Sequence, residues 1–275
     1  MKVIWDILSQ NKLGYNCKMK GFYLSAFIAL FFYGLTAQPY DNKFYLTHTS
    51  KNESKEIKIK YAKDSLFIKD DLMDLSLLLF DTNSTKTDYF VIAICGDGGW
   101  MDFTNDFAKL CKHRGIPVVG FSTLPYFMET RKPEKIAIDL QRVIVNFSHI
   151  FNKNKVMIMG YSFGAEILPY AYNNMNPYFK QKIISMGLVA PSTKACFKVS
   201  PTYIYTSNEL VPLLPALLKN ESSKIVIFCD DTGKSICKIL PENSQYKLVN
   251  LDAGHNFIGR WASVAKLVAD NMGIE

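Results

Sequence analysis

The pentapeptide Gly160-Tyr161-Ser162-Phe163-Gly164 constrains the fold more than any other stretch of this 275-residue chain. Val156–Met159 (VMIM) before it reads as a short buried strand, and Phe163–Asn174 after it reads as a helix. A serine that ends a strand and starts a helix must sit on a very tight turn. The flanking glycines leave out the side chains that would clash there, and the hydroxyl is pushed out above the sheet. A helix entered this way packs back on its own strand, which predicts a layered α/β architecture.

The rest of the chain agrees with that prediction. Tyr89–Cys95 (YFVIAIC) is a continuous apolar run, as expected of a strand covered on both faces. Asp102–Arg114 reads as a helix, Ile116–Phe121 as a second buried strand, and Pro133 opens a helix to about Phe151 with proline at its first position. Ile183–Val189, Lys224–Phe228 and Tyr246–Leu251 continue the strand series, and Phe257–Met272 is the last helix. Earlier, residues 38–55 are polar and irregular. Glu56–Tyr61 (EIKIKY) alternates like an edge strand, and Leu72–Phe80 is a further strand or short helix. The order predicts an α/β fold: one mostly parallel central sheet with helices on both faces and an antiparallel edge. No Pro/Gly/Ser-rich linker divides residues 50–275, so residues 38–275 read as a single domain. With 48% apolar and 21% charged residues, disordered, collagen-like and coiled-coil chains are excluded.

Residues 1–37 read differently. Gly21–Ala37 is apolar and uncharged, too short to favour a membrane span and suited to the hydrophobic region of a signal peptide. Lys18 and Lys20 precede it, and Ala37 followed by Gln38-Pro39 suits a cleavage junction. Met19 is a second candidate start. An uncleaved N-terminal membrane anchor is the alternative, and either one puts the domain outside the cytoplasm, where disulfides persist. Five cysteines follow residue 37, an odd number, so at least one is unpaired within the chain. Cys229 and Cys237 flank a short polar loop and are the expected pair. No cysteine or histidine spacing suits zinc, and neither metal nor cofactor is expected. The net charge is +7, but the basic residues are scattered, which argues against nucleic acid and leaves room for contact with an anionic membrane surface.

A serine hydroxyl is a weak nucleophile without a base. His48 lies in the polar N-terminal segment, while His113 and His149 fall within predicted helices. His255 follows the strand Tyr246–Leu251 through Asp252-Ala253-Gly254, where the chain order Ser, Asp/Glu, His places a base. The acid belongs on the loop after Lys224–Phe228, which holds Asp230 and Asp231. Spacing does not separate neighbours on one loop; Asp231 is the first choice and Asp230 the alternate. An oxyanion hole needs two backbone N–H donors. One is expected from Phe163 and the other from Asp97 or Gly98, in the loop Cys95-Gly96-Asp97-Gly98-Gly99-Trp100. No Gly-Lys-Ser/Thr follows that loop, which sets it apart from a nucleotide P-loop.

GDGGW (96–100), RGIPVVG (114–120), the YF…R-x-PE stretch (126–134), GYSFGAEILPY (160–170) and AGHNF (253–257) together resemble the bacterial virulence protein VirJ family, which includes the AcvB proteins. The resemblance runs from about Tyr89 to His255. It implies a serine hydrolase of the α/β-hydrolase fold in the periplasm of a Gram-negative bacterium. AcvB proteins are associated with hydrolysis of lysyl-phosphatidylglycerol, so the implied substrate is a small-molecule or lipid ester. Carried over, Ser162 is the nucleophile, Asp231 the acid and His255 the base. The chain departs from the family at Pro125, often arginine there, and in FCDDTGKSIC, which lacks the glycine usual near Cys229. Trp100 is a candidate pocket wall or ordinary core, Arg131 a candidate for a lipid phosphate or a solvated arginine, and Glu166 a candidate partner for a substrate ammonium or a solvated helix glutamate. The rival expectation is a non-catalytic periplasmic accessory protein that binds a secretion-system partner.

Overall fold

The computed structural model describes residues 72–275 apart from 73, 83, 85, 200–208, 221–224 and 242–244. The expected signal peptide (1–37) with the Met19 start, the irregular segment 38–55 with His48, and the strand Glu56–Tyr61 lie outside the described residues.

In chain order the elements are β1 (Leu77–Phe80), β2 (Tyr89–Ile94), α1 (Asp102–His113), β3 (Val118–Phe121), α2 (Thr123–Tyr126), α3 (Pro133–Ile150), β4 (Lys155–Tyr161), α4 (Phe163–Asn173), α5 (Pro177–Lys182) and β5 (Ile183–Val189). They continue with β6 (Lys194–Ala195), β7 (Val211–Pro212), α6 (Leu213–Leu218), β8 (Ile225–Cys229), a single 3-10 turn (Ile236–Lys238), β9 (Lys247–Asn250) and α7 (Trp261–Met272). Seven strands form one sheet in the order β1-β3-β2-β4-β5-β8-β9. Only β1 runs antiparallel, with Leu77 opposite Phe121 and Phe80 opposite Val118; the other neighbours are parallel. The fold is the α/β class expected, with its antiparallel edge.

Strand β2 shows why the sheet sits where it does. All six of its residues are buried. Alternate side chains point to opposite faces, so Phe90, Ile92 and Ile94 join one apolar layer while Tyr89, Val91 and Ala93 join the other. The first layer holds Ile136, Leu140 and Ile144 of α3 and Ile167, Leu168 and Ala171 of α4. The second holds Phe103, Phe107 and Cys111 of α1 with Val264, Val268 and Met272 of α7. Those helical residues recur at spacings of three and four, which gathers them on one stripe. A strand pressed between two such layers has no solvent face, hence its unbroken apolar run.

Three departures from expectation have local causes. The last helix begins at Trp261 rather than Phe257, because Phe257 and Gly259 both have positive φ (52° and 74°) and turn the chain left-handed before α7. Among the described residues of Leu72–Phe80, the strand is the last four. The helices α2, α5 and α6 and the two-residue pair β6–β7 are too short for periodicity to reveal.

The connections place a crevice. After β2 the chain goes to α1 in one layer, and after β4 it goes to α4 in the other. Neighbouring loops that leave β2 and β4 toward opposite faces open a gap at the carboxyl ends of those strands, the switch point at which open α/β sheets bind ligands. The loop Cys95–Trp100 and Ser162 are the two sides of that gap.

Candidate active site

Ser162 stands between β4 and α4 with φ 51° and ψ −117°. A non-glycine residue in that region is strained, and the strain is fixed by its neighbours. A β-carbon on Gly160 would lie 2.5 Å from the Gly164 carbonyl oxygen, and one on Gly164 would lie 2.6 Å from the Ile94 carbonyl oxygen. Both glycines are therefore required by backbone packing of α4 against β2 and β4. The Ser162 N–H donates to Val189 O at 2.8 Å, tying the turn to β5.

The hydroxyl meets a relay. Ser162 Oγ is 2.8 Å from His255 Nε2, and His255 Nδ1 is 2.8 Å from Asp230 Oδ2. A carboxylate can only accept, so Nδ1 carries the proton and Nε2 is left free to accept from Ser162. The carboxylate that meets His255 is thus Asp230, the alternate, and not the first choice, Asp231. Strand alternation decides it. Phe228 faces the layer of α1 and α7, and Cys229 faces the other and is bonded to Cys237. Asp230, next in turn, comes back to the face where Leu251, Ala253 and Phe257 carry the His255 loop. The Asp230 side chain is 1% exposed and that of His255 35%. Asp231 is exposed, and its N–H donates to Ala253 O at 3.1 Å. The expected disulfide Cys229–Cys237 is formed, and Cys95, Cys111 and Cys196 are free and buried.

Two residues that hold this relay were not singled out from sequence. Thr232 Oγ1 lies 3.1 Å from both oxygens of Asp230 and donates to them. Tyr161 lies alongside His255 at 5.9 Å between ring centroids and donates its hydroxyl to His255 O at 3.0 Å. Burial pushes the Tyr161 phenol up to about 12, so it stays a neutral donor. Tyr161 occupies the variable place inside the glycine–serine turn, a signal that was available; Thr232 had none beyond its nearness to two aspartates.

The expected oxyanion donors border the serine. Phe163 opens α4, whose first N–H groups have no carbonyl one turn earlier to meet, and the positive end of the helix dipole lies there. Gly96 is so close that a β-carbon on it would lie 3.5 Å from Ser162 Cβ. Gly99 N–H closes a tight turn onto Gly96 O at 3.1 Å, with Asp97 and Gly98 as its central residues. Glu166, one turn along α4, accepts the Ser192 N–H on Oε1 at 3.2 Å. Burial holds its carboxyl above the usual carboxylate range.

Two other candidates have these surroundings. Trp100 packs over β3, where its ring would meet a β-carbon on Gly120 at 2.6 Å, and against Phe80 of β1. β3 is two strands from β4, about 10 Å at ordinary strand spacing, so the tip of the ring fills space over the sheet edge. Arg131 is taken up by its own loop: Nε donates to Tyr126 O at 3.0 Å, the guanidinium lies 5.0 Å from the Tyr126 ring centroid, and Glu129 is 3.4 Å away. His113 and His149 lie in the last turns of α1 and α3. Among the described residues no three His, Cys, Asp or Glu side chains are grouped so as to hold a metal ion.

The family model described as bacterial virulence protein (VirJ) matches residues 88–274. No curated protein matches the sequence. Among solved structures, ferulic-acid-bound Est1E from Butyrivibrio proteoclasticus superposes with a TM-score of 0.52 at 13% identity, covering 72% of this chain and 94% of that one. The monoacylglycerol lipase of Paleococcus ferrophilus superposes with a TM-score of 0.51 at 10% identity, covering 74% of this chain and all (100%) of that one. At these identities the likeness establishes the fold: this is an α/β-hydrolase fold.

Proposed function

Since the chain belongs to the bacterial virulence protein (VirJ) family, we propose that it is a serine hydrolase of carboxylic esters, acting on an aminoacylated phospholipid such as lysyl-phosphatidylglycerol outside the cytoplasm. The observation that carries the reading is the unbroken relay Ser162–His255–Asp230 on a strained turn. Ser162 Oγ attacks the ester carbonyl carbon while its proton passes to His255 Nε2. Asp230 holds the imidazolium in place. The tetrahedral oxyanion is met by Phe163 N–H and by the N–H of Asp97 or Gly98. Collapse breaks the bond to the leaving alcohol, which takes the proton from His255. Water, deprotonated by His255, then releases the acid and restores Ser162.

The substrate class rests on two features. Glu166 puts a half-buried carboxylate one turn from the nucleophile, where an ammonium group of the acyl part would restore the charge that burial disfavours. Apolar side chains on the loops around the serine are exposed, with Met101 at 58%, Met128 at 62% and Ile258 at 80%, which suits contact with lipid. The location rests on the signal-like segment 1–37 and on a disulfide of the kind that persists in oxidising compartments. Among the described residues no helix is long and apolar enough to cross a membrane.

The test follows free lysine from lysyl-phosphatidylglycerol vesicles incubated with residues 38–275. Release by the wild-type chain and none by a Ser162→Ala control supports the whole reading. Hydrolysis of p-nitrophenyl acetate or labelling at Ser162 by a fluorophosphonate, without lysine release, keeps the hydrolase and removes the lipid. Neither activity nor labelling overturns the reading in favour of an accessory protein that binds a partner. A pH effect follows from Glu166. Its carboxyl is raised, so the preference for a cationic over a neutral ester grows as pH climbs through that raised value and fades below it. The ratio of the kcat/KM values for the two esters cancels whatever they share. Glu166→Gln is expected to flatten the ratio; an unchanged ratio would remove Glu166 from substrate recognition.

A further inference from the structure

We infer that Thr123 is a positioning residue for the oxyanion hole, and that its hydroxyl selects Asp97 N–H as the second donor. The inference rests on the ester-hydrolase reading and concerns the peptide between Gly96 and Asp97. Thr123 is fully buried at the start of α2, and its Oγ1 donates to Gly96 O. The same carbonyl accepts Gly99 N–H at 3.1 Å. With both acceptor directions of Gly96 O filled, the peptide cannot rotate without breaking two bonds. In a trans peptide the C=O and N–H point to opposite sides, and no described peptide is cis. Holding Gly96 O toward Thr123 therefore turns Asp97 N–H away from Thr123, in a loop whose Gly96 borders Ser162. Gly98 N–H belongs to the next peptide, which this lock does not fix.

Cys95 completes the device. Its Sγ accepts Thr123 N–H at 3.3 Å and lies 3.3 Å from Thr123 Oγ1. Burial raises the Cys95 thiol, so it keeps its proton and can donate to Oγ1, whose own proton goes to Gly96 O. Three donors thus run in one direction: Thr123 N–H to Cys95 Sγ, Cys95 Sγ–H to Thr123 Oγ1, and Thr123 Oγ1–H to Gly96 O. The chain ties the end of β2 to the start of α2 and ends on the peptide that presents the donor. A donor fixed before substrate arrives needs no reorganisation when charge develops.

Thr123→Val keeps the volume and removes the hydroxyl. With p-nitrophenyl acetate, kcat is expected to fall about 10- to 100-fold with KM within about twofold, below the 10²–10³ loss that removing a donor outright brings. Thr123→Ser restores the hydroxyl and is expected to recover most of kcat. A boronic acid that forms a tetrahedral adduct on Ser162 is expected to bind the valine variant more weakly by about the same factor, while the product acid binds equally. A purely structural role would lower the unfolding midpoint and raise KM without a selective loss of boronate affinity. A valine variant with wild-type kcat and boronate affinity overturns the inference, as does a serine variant that recovers nothing. No hydrolysis by the wild-type chain points instead to failure of the ester-hydrolase reading.

Discussion

Ser162→Ala is expected to lower kcat at least ~10⁴-fold on any ester that the protein hydrolyses, with KM little changed. The size follows from the division of labour. In the proposed mechanism Ser162 Oγ is the atom that bonds to the acyl carbon, and His255 and Asp230, in line behind it, act only through it. Without it the relay has nothing to deprotonate, and what remains is water attack aided by the oxyanion donors and binding. Stability should move little. Alanine keeps the β-carbon, so the strain at φ 51° is the same. Ser162→Gly tests that point. Glycine adopts positive φ without cost, so this variant should be inactive yet unfold at equal or higher denaturant than wild type. A glycine variant that is markedly less stable would mean that the turn is not strained. An alanine variant with substantial kcat would mean that Ser162 is not the nucleophile.

Asp230→Asn is expected to lower kcat about 10⁴-fold, and Asp231→Asn to leave it within about twofold. The two neighbours differ in what they touch. Asp230 is buried, receives His255 Nδ1 at 2.8 Å, and is held by Thr232 at both oxygens. An amide there can offer its NH₂ to Nδ1, which favours the tautomer with the proton on Nε2 and blocks acceptance from Ser162. Asp231 is exposed, and only its backbone N–H is tied down, to Ala253 O. Parallel pH–rate profiles of the two variants check the assignment. Equal losses would put both carboxylates in the relay, and a larger loss for Asp231→Asn would reverse it.

Much of this protein is legible along the chain. The alternation of strands and helices from Tyr89 onward follows from apolar runs that only a doubly covered strand can use. The places of Ser162 and His255 follow from local grammar: a glycine-flanked turn between strand and helix, and a histidine just past the last strand. The disulfide between Cys229 and Cys237 follows from spacing and the compartment expected. Each of these depends on residues near one another in sequence, so the local pattern carries the information.

What the tertiary structure alone decided depends on direction and on distant neighbours. Asp230 and Asp231 are equivalent in sequence. They part only because the chain leaves β8 with one side chain turned toward the His255 loop and the next toward solvent. Trp100 and Arg131 each have two readings in sequence, and only the fold shows that Gly120 lies under one ring and that Tyr126 O accepts from the other side chain. Thr123 carries no signal at all; it matters because the fold brings it from 27 residues away onto Gly96 O. The reason is common to all of them: sequence sets which residues alternate and where turns fall, whereas the partner of a side chain is settled only when separate strands and loops are packed side by side.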